Sequence, residues 1–134
     1  GCDYARTDET YPNGLDVEVF SIEALLKAFN EADLPSEREH VTPYIWKRPE
    51  LFGVKRAVCE KNLAAMRWTI DDMKDFRLVE AIFNGLYSKG TVTHMDEIVE
   101  FLSANPALLK INEGTKRNEG YAKSLMEESA ARAS

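Results

Sequence analysis

Three carboxylates stand where chemistry can be done. Asp16 and Glu18 lie two residues apart in residues 15–20, LDVEVF, where Leu15, Val17 and Val19 alternate with them. A period of two puts both acids on one face of a strand, with side chains about 7 Å apart. Asp71 lies within residues 66–76, MRWTIDDMKDF. Met66, Trp68 and Ile70 alternate there with Arg67 and Thr69, which predicts a half-buried strand. Phe76, Val79, Phe83 and Leu86 then recur at helical spacing. Asp71 therefore falls at the carboxyl end of a strand, where ligands gather in open α/β sheets. Asp71 or Asp72 can also cap the helix by accepting from its unpaired backbone N–H groups. The three acids can converge on one site, although spacing alone favours a solvated strand face plus a helix cap. Arg38 and His40, in SEREH, are further candidates for binding a ligand; the plainer reading is a surface salt-bridged to Glu37 and Glu39.

The rest of the chain supplies elements to position these residues. The YPNG stretch at 11–14 reads as a turn, since Asn-Gly tolerates positive φ. After the strand at 15–20, Ser21 can cap a helix whose apolar stripe is Ile22, Leu25, Leu26 and Phe29, with Phe20 and Leu25 as a staple. That helix should fade near Ala32. Val41, Tyr44 and Ile45 share a helical face, but Pro43 demands a kink or a fresh start with Thr42 as cap, because an interior proline costs roughly 3 kcal/mol. Residues 54–59 read as a short strand that the 60–65 loop can bring beside 66–70. Lys89-Gly90 closes the central helix, and Thr93 caps another through Met95, Ile98, Val99 and Leu102, stopped at Asn105-Pro106. Residues 110–118 read as a polar linker. A last helix around Tyr121, Ala122, Leu125 and Met126 packs on the outside, and 129–134 fray. Lys116, Arg117 and Lys123, diluted by Glu113 and Glu119, read as a solvated face.

At 134 residues the chain is the size of a single domain, 1–134, able to bury a hydrophobic core. Its 44% hydrophobic and 30% charged composition argues against disorder, and no apolar run approaches a transmembrane length. The start, GCDYARTDETYPNG, is too polar for a secretory signal, so a cytoplasmic protein off the membrane is expected. A net charge of -6 disfavours nucleic acid, though not a phosphate ligand bridged by a metal ion. Cys2 and Cys59 are too far apart in sequence for a zinc pair; they can form one disulfide, and two free thiols are the favoured reading. No glycine-rich phosphate loop and no GxSxG elbow occur.

Four stretches go further together. YPNGLDVEVFSIEAL, SEREHVTPYI, RWTIDDMKDF and KINEGTKRNEGYAKSL, in this order, resemble the spore-coat-polysaccharide type of cytidylyltransferase, over about residues 3–128. The resemblance implies transfer of a nucleotidyl group from CTP to a sugar or sugar acid with release of pyrophosphate, on a Rossmann-like three-layer fold. It implies magnesium held by carboxylates, Asp71 among them, since two polyanions must approach each other. Asp75 falls on the motif's second acid, and TIDDMKD replaces the usual Thr-Pro pair with Asp72-Met73. Asp16 and Glu18 match the strand suited to gripping sugar hydroxyls, and Arg38 and His40 the sugar end of the cleft. The phosphate loop and base pocket of the family's N-terminal half have no counterpart here. The chain resembles the C-terminal half of that fold, with an α/β class and a small mixed sheet of three or four strands flanked by helices. The expected function is a cytidylyltransferase-related domain, inactive alone, with a separate nucleotide-binding half, a sugar or sugar-nucleotide ligand and a homodimeric state. The alternative is a dimeric binding or assembly module without transferase activity.

Overall fold

The computed structural model describes residues 1–114 and 117–133. Among these, three strands form one mixed sheet in the order β2-β1-β3. The central strand β1, Tyr4–Thr7, pairs antiparallel with β2, Glu18–Phe20, in the register Tyr4↔Phe20 and Arg6↔Glu18. It pairs parallel with β3, Val54–Ala57, in the register Tyr4↔Val54 and Thr7↔Ala57. A parallel pair needs a long crossover. Here it consists of three helices, α1 (Ile22–Glu31), α2 (Pro35–His40) and α3 (Pro43–Trp46).

The mixed sheet and flanking helices agree with the fold expected from sequence, but the sheet is assembled differently. The centre is β1, a strand the sequence pattern does not announce. The 54–59 stretch pairs with β1 and not with residues 66–70. Residues 66–70 themselves join no sheet. Asn13 N–H donates to Met66 O (2.9 Å) and Trp68 N–H to Asn13 O (2.7 Å), making one isolated parallel bridge between Asn13 and Arg67. A strand needs a neighbour along its length, and the described residues provide one residue's worth.

Ser21 caps α1 as expected, its hydroxyl accepting from Ala24 N–H (3.1 Å), and the helix ends at Glu31. Its inward face is the reverse of the expected one. Ala24, Ala28 and Ala32 are buried against Tyr4, Tyr44, Ile45 and Phe52, whereas Ile22, Leu26 and Phe29 point to solvent. Small residues let the helix lie close to an aromatic core, which turns its bulky residues outward. The chain does make a fresh start at Pro43. Thr42 precedes it without a side-chain cap bond, and Val41 sits at φ 61° with Thr42 N–H donating to His40 O (2.7 Å), a three-residue γ-turn. A β-branched residue there is strained.

The second core forms around α4 (Met73–Leu86) and α5 (Met95–Ala104). Leu78, Ile82 and Leu102 are buried, with Met66, Trp68, Ile98 and Phe101 packed on them. Phe76 and Phe83, expected inside, are exposed, because α4 carries apolar residues on two faces and only one has a neighbour. The cap of α5 is His94 and not Thr93, and Glu97 Oε2 accepts from His94 N–H (2.7 Å). A further turn, α6 (Pro106–Leu109), follows, and α7 (Glu119–Ala133) runs through the stretch expected to fray. Both thiols are free. No helix among the described residues is long and apolar enough to cross a membrane.

Gly14 closes the expected turn at φ +104°, and a Cβ there would lie 2.8 Å from Trp68 C and 2.9 Å from Thr69 N. Gly14→Ala should therefore lower stability by about 1–3 kcal/mol from backbone strain alone. A urea midpoint that falls with unchanged slope is the expected observation.

Candidate functional site

The sharpest electrostatic arrangement lies where residues 66–70 enter α4. Asp72, not Asp71, caps the helix: its Oδ1 accepts from Lys74 N–H (2.7 Å) and Asp75 N–H (2.9 Å). The carboxylate of Asp71 is exposed and held by Arg67 Nη2 at 2.5 Å. Arg67 also donates to Asp75, from Nε to Oδ1 (3.0 Å) and from Nη2 to Oδ2 (2.9 Å). Asp75 is fully buried and takes three further bonds, from Asn112 Nδ2 (2.8 Å), Asp71 N–H (3.1 Å) and Thr69 Oγ1 (3.4 Å). The Arg67 guanidinium, followed by these other donors, holds the Asp75 carboxyl well below the usual carboxylate range despite its burial. One arginine thus ties a buried acid to an exposed one.

Glu18 belongs to a different group. Its Oε1 accepts from the hydroxyl of Tyr4 and from that of Thr42 (3.2 Å). Burial, and then the bond to this carboxylate, push the Tyr4 hydroxyl far above its ordinary value, so it stays a donor. Glu18 is thereby held against the α2–α3 corner at the γ-turn.

The remaining candidates go to separate partners. Asp16 pairs with Arg117, which also donates to Tyr11 O (3.1 Å) and Glu9 O (3.3 Å). Arg117 is therefore not on a solvated face; Lys116 lies outside the described residues. Arg38 donates to Phe29 O (2.6 Å) and lies over the Phe29 ring at 5.3 Å, at the end of α1. His40 is hydrogen-bonded through Nε2 to Ser124 Oγ (3.1 Å) and meets the edge of Tyr121, so α7 straps its face. Glu37 does not join Arg38 on the surface. It is buried and pairs with Arg48 (2.7 Å), while Ser36 donates to Glu128 (2.6 Å).

The structure thus joins Glu18 to the corner beyond His40, through Thr42, but gives Asp16, Glu18 and Asp71 three different partners. Among the described residues no group of three or more His, Cys, Asp or Glu can hold a metal ion. A magnesium ion takes one or two carboxylates plus substrate phosphates. Among the described residues at the start of α4, Asp72 is committed to the cap and Asp75 to Arg67, and the exposed Asp71 is itself bonded to Arg67. The residues present do not make a magnesium site by themselves. Tyr4, Thr42, Arg67 and Asn112 were not legible as site residues. Tyr4, Thr42 and Asn112 each bond an acid remote in sequence, and only the Arg67–Asp71 spacing of four carries a local signal.

The fold has a counterpart among solved structures. The structure of a cytidylyltransferase from Leptospira borgpetersenii serovar Hardjo-bovis (strain JB197) superposes with a TM-score of 0.76 at 24% identity, covering 87% of this chain and 48% of that one. The chain has the fold of part of a cytidylyltransferase. An uncharacterised protein of Methanocaldococcus jannaschii is 37% identical over 108 residues, 78% of this chain and 43% of that protein. The chain thus spans less than half the length of either relative. No protein-family profile matches it.

Two substitutions read out this site. Asp72→Ala should cost about 1 kcal/mol and Asp72→Ser should keep most of it, whereas Ala and Ser at Asp71 should behave alike. Asp75→Asn leaves a largely buried guanidinium with only the exposed Asp71 as counter-charge, so it should cost roughly 3 kcal/mol. Because the Asp75 carboxyl is depressed in the fold, its contribution is complete above the ordinary carboxylate range near 4 and is lost as pH falls through the folded value. Urea midpoints from pH 7 downward should fall in acid for the parent and fall less for Asp75→Asn.

Proposed function

We propose that this chain forms the sugar side of a cytidylyltransferase of the spore-coat-polysaccharide type, corresponding to the C-terminal half of such an enzyme. The reaction joins the CMP unit of CTP to a sugar or sugar acid and releases pyrophosphate, in the cytoplasm. The observation that carries the reading is the fold match over 87% of the chain to a cytidylyltransferase. Two features of this chain support it. Glu18 is presented with one oxygen tied to Tyr4 and Thr42, a geometry suited to accepting from a sugar hydroxyl with the other. Asp71 stands exposed at the start of α4. By resemblance it is the residue that would contribute a carboxylate to a magnesium ion, a site these residues do not complete by themselves. Asp16, Arg38 and His40 are each held by other partners, Arg117, Phe29 and Ser124, and their part in binding sugar is secondary to that of Glu18.

The nucleotide grip is not in these 134 residues, because no glycine-rich phosphate loop occurs in them. Without one nothing aligns the α-phosphate, and orientation can supply roughly 7–11 kcal/mol of barrier reduction. A second reading, a binding or assembly module without transferase chemistry, is favoured by the separate partners of Asp16, Glu18 and Asp71.

Saturation-transfer NMR with a panel of free sugars and sugar acids separates the two. A sugar signal that disappears with Glu18→Gln and survives Asp71→Asn is expected. Absence of any such signal, or indifference to Glu18→Gln, would favour the module. In parallel, the chain alone should release no pyrophosphate from CTP and magnesium. Turnover abolished by Glu18→Gln would show that the phosphate grip lies within it after all.

A further inference from the structure

We infer that Arg6 and Arg56 form an oxyanion-binding site at the carboxyl end of the sheet, taking the carboxylate or phosphate of a ligand between their guanidinium groups. The first ground is the register of the strands. Arg6 of β1 pairs with Glu18 of β2 and with Arg56 of β3. Residues abreast in neighbouring strands send their side chains to the same face, with the strands about 4.8 Å apart. Glu18, Arg6 and Arg56 therefore stand in one row across the sheet, and Phe20, Tyr4 and Val54 in the parallel row before it. Tyr4 and Val54 pack in the first core, so this is the face turned to α1 and α3. The charged row lies near the carboxyl ends of the two parallel strands, where ligands gather in open α/β sheets.

The second ground is how the two arginines are held. Like charges abreast in a sheet repel, and the surroundings fix this pair without neutralising it. The Arg6 guanidinium carbon lies 5.5 Å from the centroid of the Trp46 ring, and the side chain is 19% exposed. Its ion pair is with Glu9 (2.7 Å), which is 60% exposed, and an exposed pair of this kind is worth little. Arg56 is exposed and has no ion-pair partner among the described residues. The nearby acids are engaged elsewhere. Glu18 Oε1 accepts from Tyr4 and Thr42, and Asp8 Oδ1 from Thr10 N–H (3.0 Å) and the Thr10 hydroxyl. Those Thr10 bonds, and then the charges of Arg56 and Arg6, hold the Asp8 carboxyl below its ordinary value. Both guanidinium groups thus act on one point just past the end of β1. Their planar forks suit an oxyanion better than a point charge would. With Glu18 next in the row, the ligand that fits is an anion that also carries hydroxyl groups; this last step rests on the reading of Glu18 as a sugar residue.

Titration with inorganic phosphate at fixed ionic strength, followed by the arginine Nε–H and Trp46 indole N–H resonances, tests the site. Saturable shifts at Arg6, Arg56 and Trp46 are expected. Arg6→Gln and Arg56→Gln should each weaken phosphate roughly tenfold, the effect of about 1.4 kcal/mol. Arg56 is exposed, so its variant keeps the parent fold. Glu9→Gln frees Arg6 and should tighten phosphate, an outcome that a purely structural role for Arg6 does not give. Arg77→Gln, an exposed position on α4, should change nothing. Competition then identifies the source of the anion. Displacement of phosphate by glucuronate and not by glucose assigns the site to a carboxylate on the sugar; displacement by neither assigns it to a phosphate group. Shifts that do not saturate, or an equal loss in Arg77→Gln and Arg56→Gln, would overturn the inference. The Glu18→Gln experiment reads a hydroxyl and this one an anion, so either can fail without the other.

Discussion

The Arg67–Asp75 pair is the interaction on which the α4 side of the molecule depends. Arg67 comes from the segment that bridges to Asn13, Asp75 from the first turn of α4, and Asn112 from beyond α6. Three stretches of chain that also share the second hydrophobic core therefore meet at one carboxylate. A buried ion pair gains stability only when its remaining lone pairs are also satisfied. Here they are, by Asn112 and by the backbone of Asp71. The pair also decides what Asp71 can do. Anchored to the same guanidinium, the exposed acid is held in place by the buried one, and any cation approaching it must compete with Arg67.

The sequence pattern disclosed the longer helices and their N-terminal caps to within a residue or so, because caps and helical periodicity are local, but their C-terminal ends less well: α4 stops at Leu86, ahead of the Lys89-Gly90 expected to close it, and α7 runs on to Ala133. Ser21 and Pro43 sit where expected, and Asp72 takes the cap that either aspartate could have made. Local pattern failed where the answer was set by a neighbour. Alternation at 66–70 is genuine, yet a strand exists only by pairing, and one bridge is all it receives. Tyr4–Thr7 has no alternation to advertise it and becomes the centre of the sheet because two strands flank it. In α1 and α4 two faces competed for the core. Bulk in the sequence favoured Leu26, Phe29, Phe76 and Phe83, whereas close packing chose Ala24, Ala28, Leu78 and Ile82. The candidate acids were legible as residue types, but their partners were not. Tyr4, Thr42 and Arg117 reach them over distances that no spacing rule covers.

The outward faces of α1 and α4 have a common origin. Each helix carries more apolar surface than its own subunit covers, and each keeps its smaller or fewer residues for the interior. On α4 the outer residues Met73, Phe76 and Phe83, with Tyr87 just beyond it, are exposed in the same way as Ile22, Leu26 and Phe29 on α1.

Val41 links the corner to Glu18 in a way that static contacts do not convey. A β-branched residue at φ 61° carries strain of order 1–3 kcal/mol, offset by the bonds on either side, one of which is Thr42 to Glu18. Loss of the Thr42–Glu18 bond removes part of that offset. The position of the Glu18 carboxylate and the conformation of the α2–α3 corner are then thermodynamically reciprocal: each shifts the other's equilibrium by the same free energy.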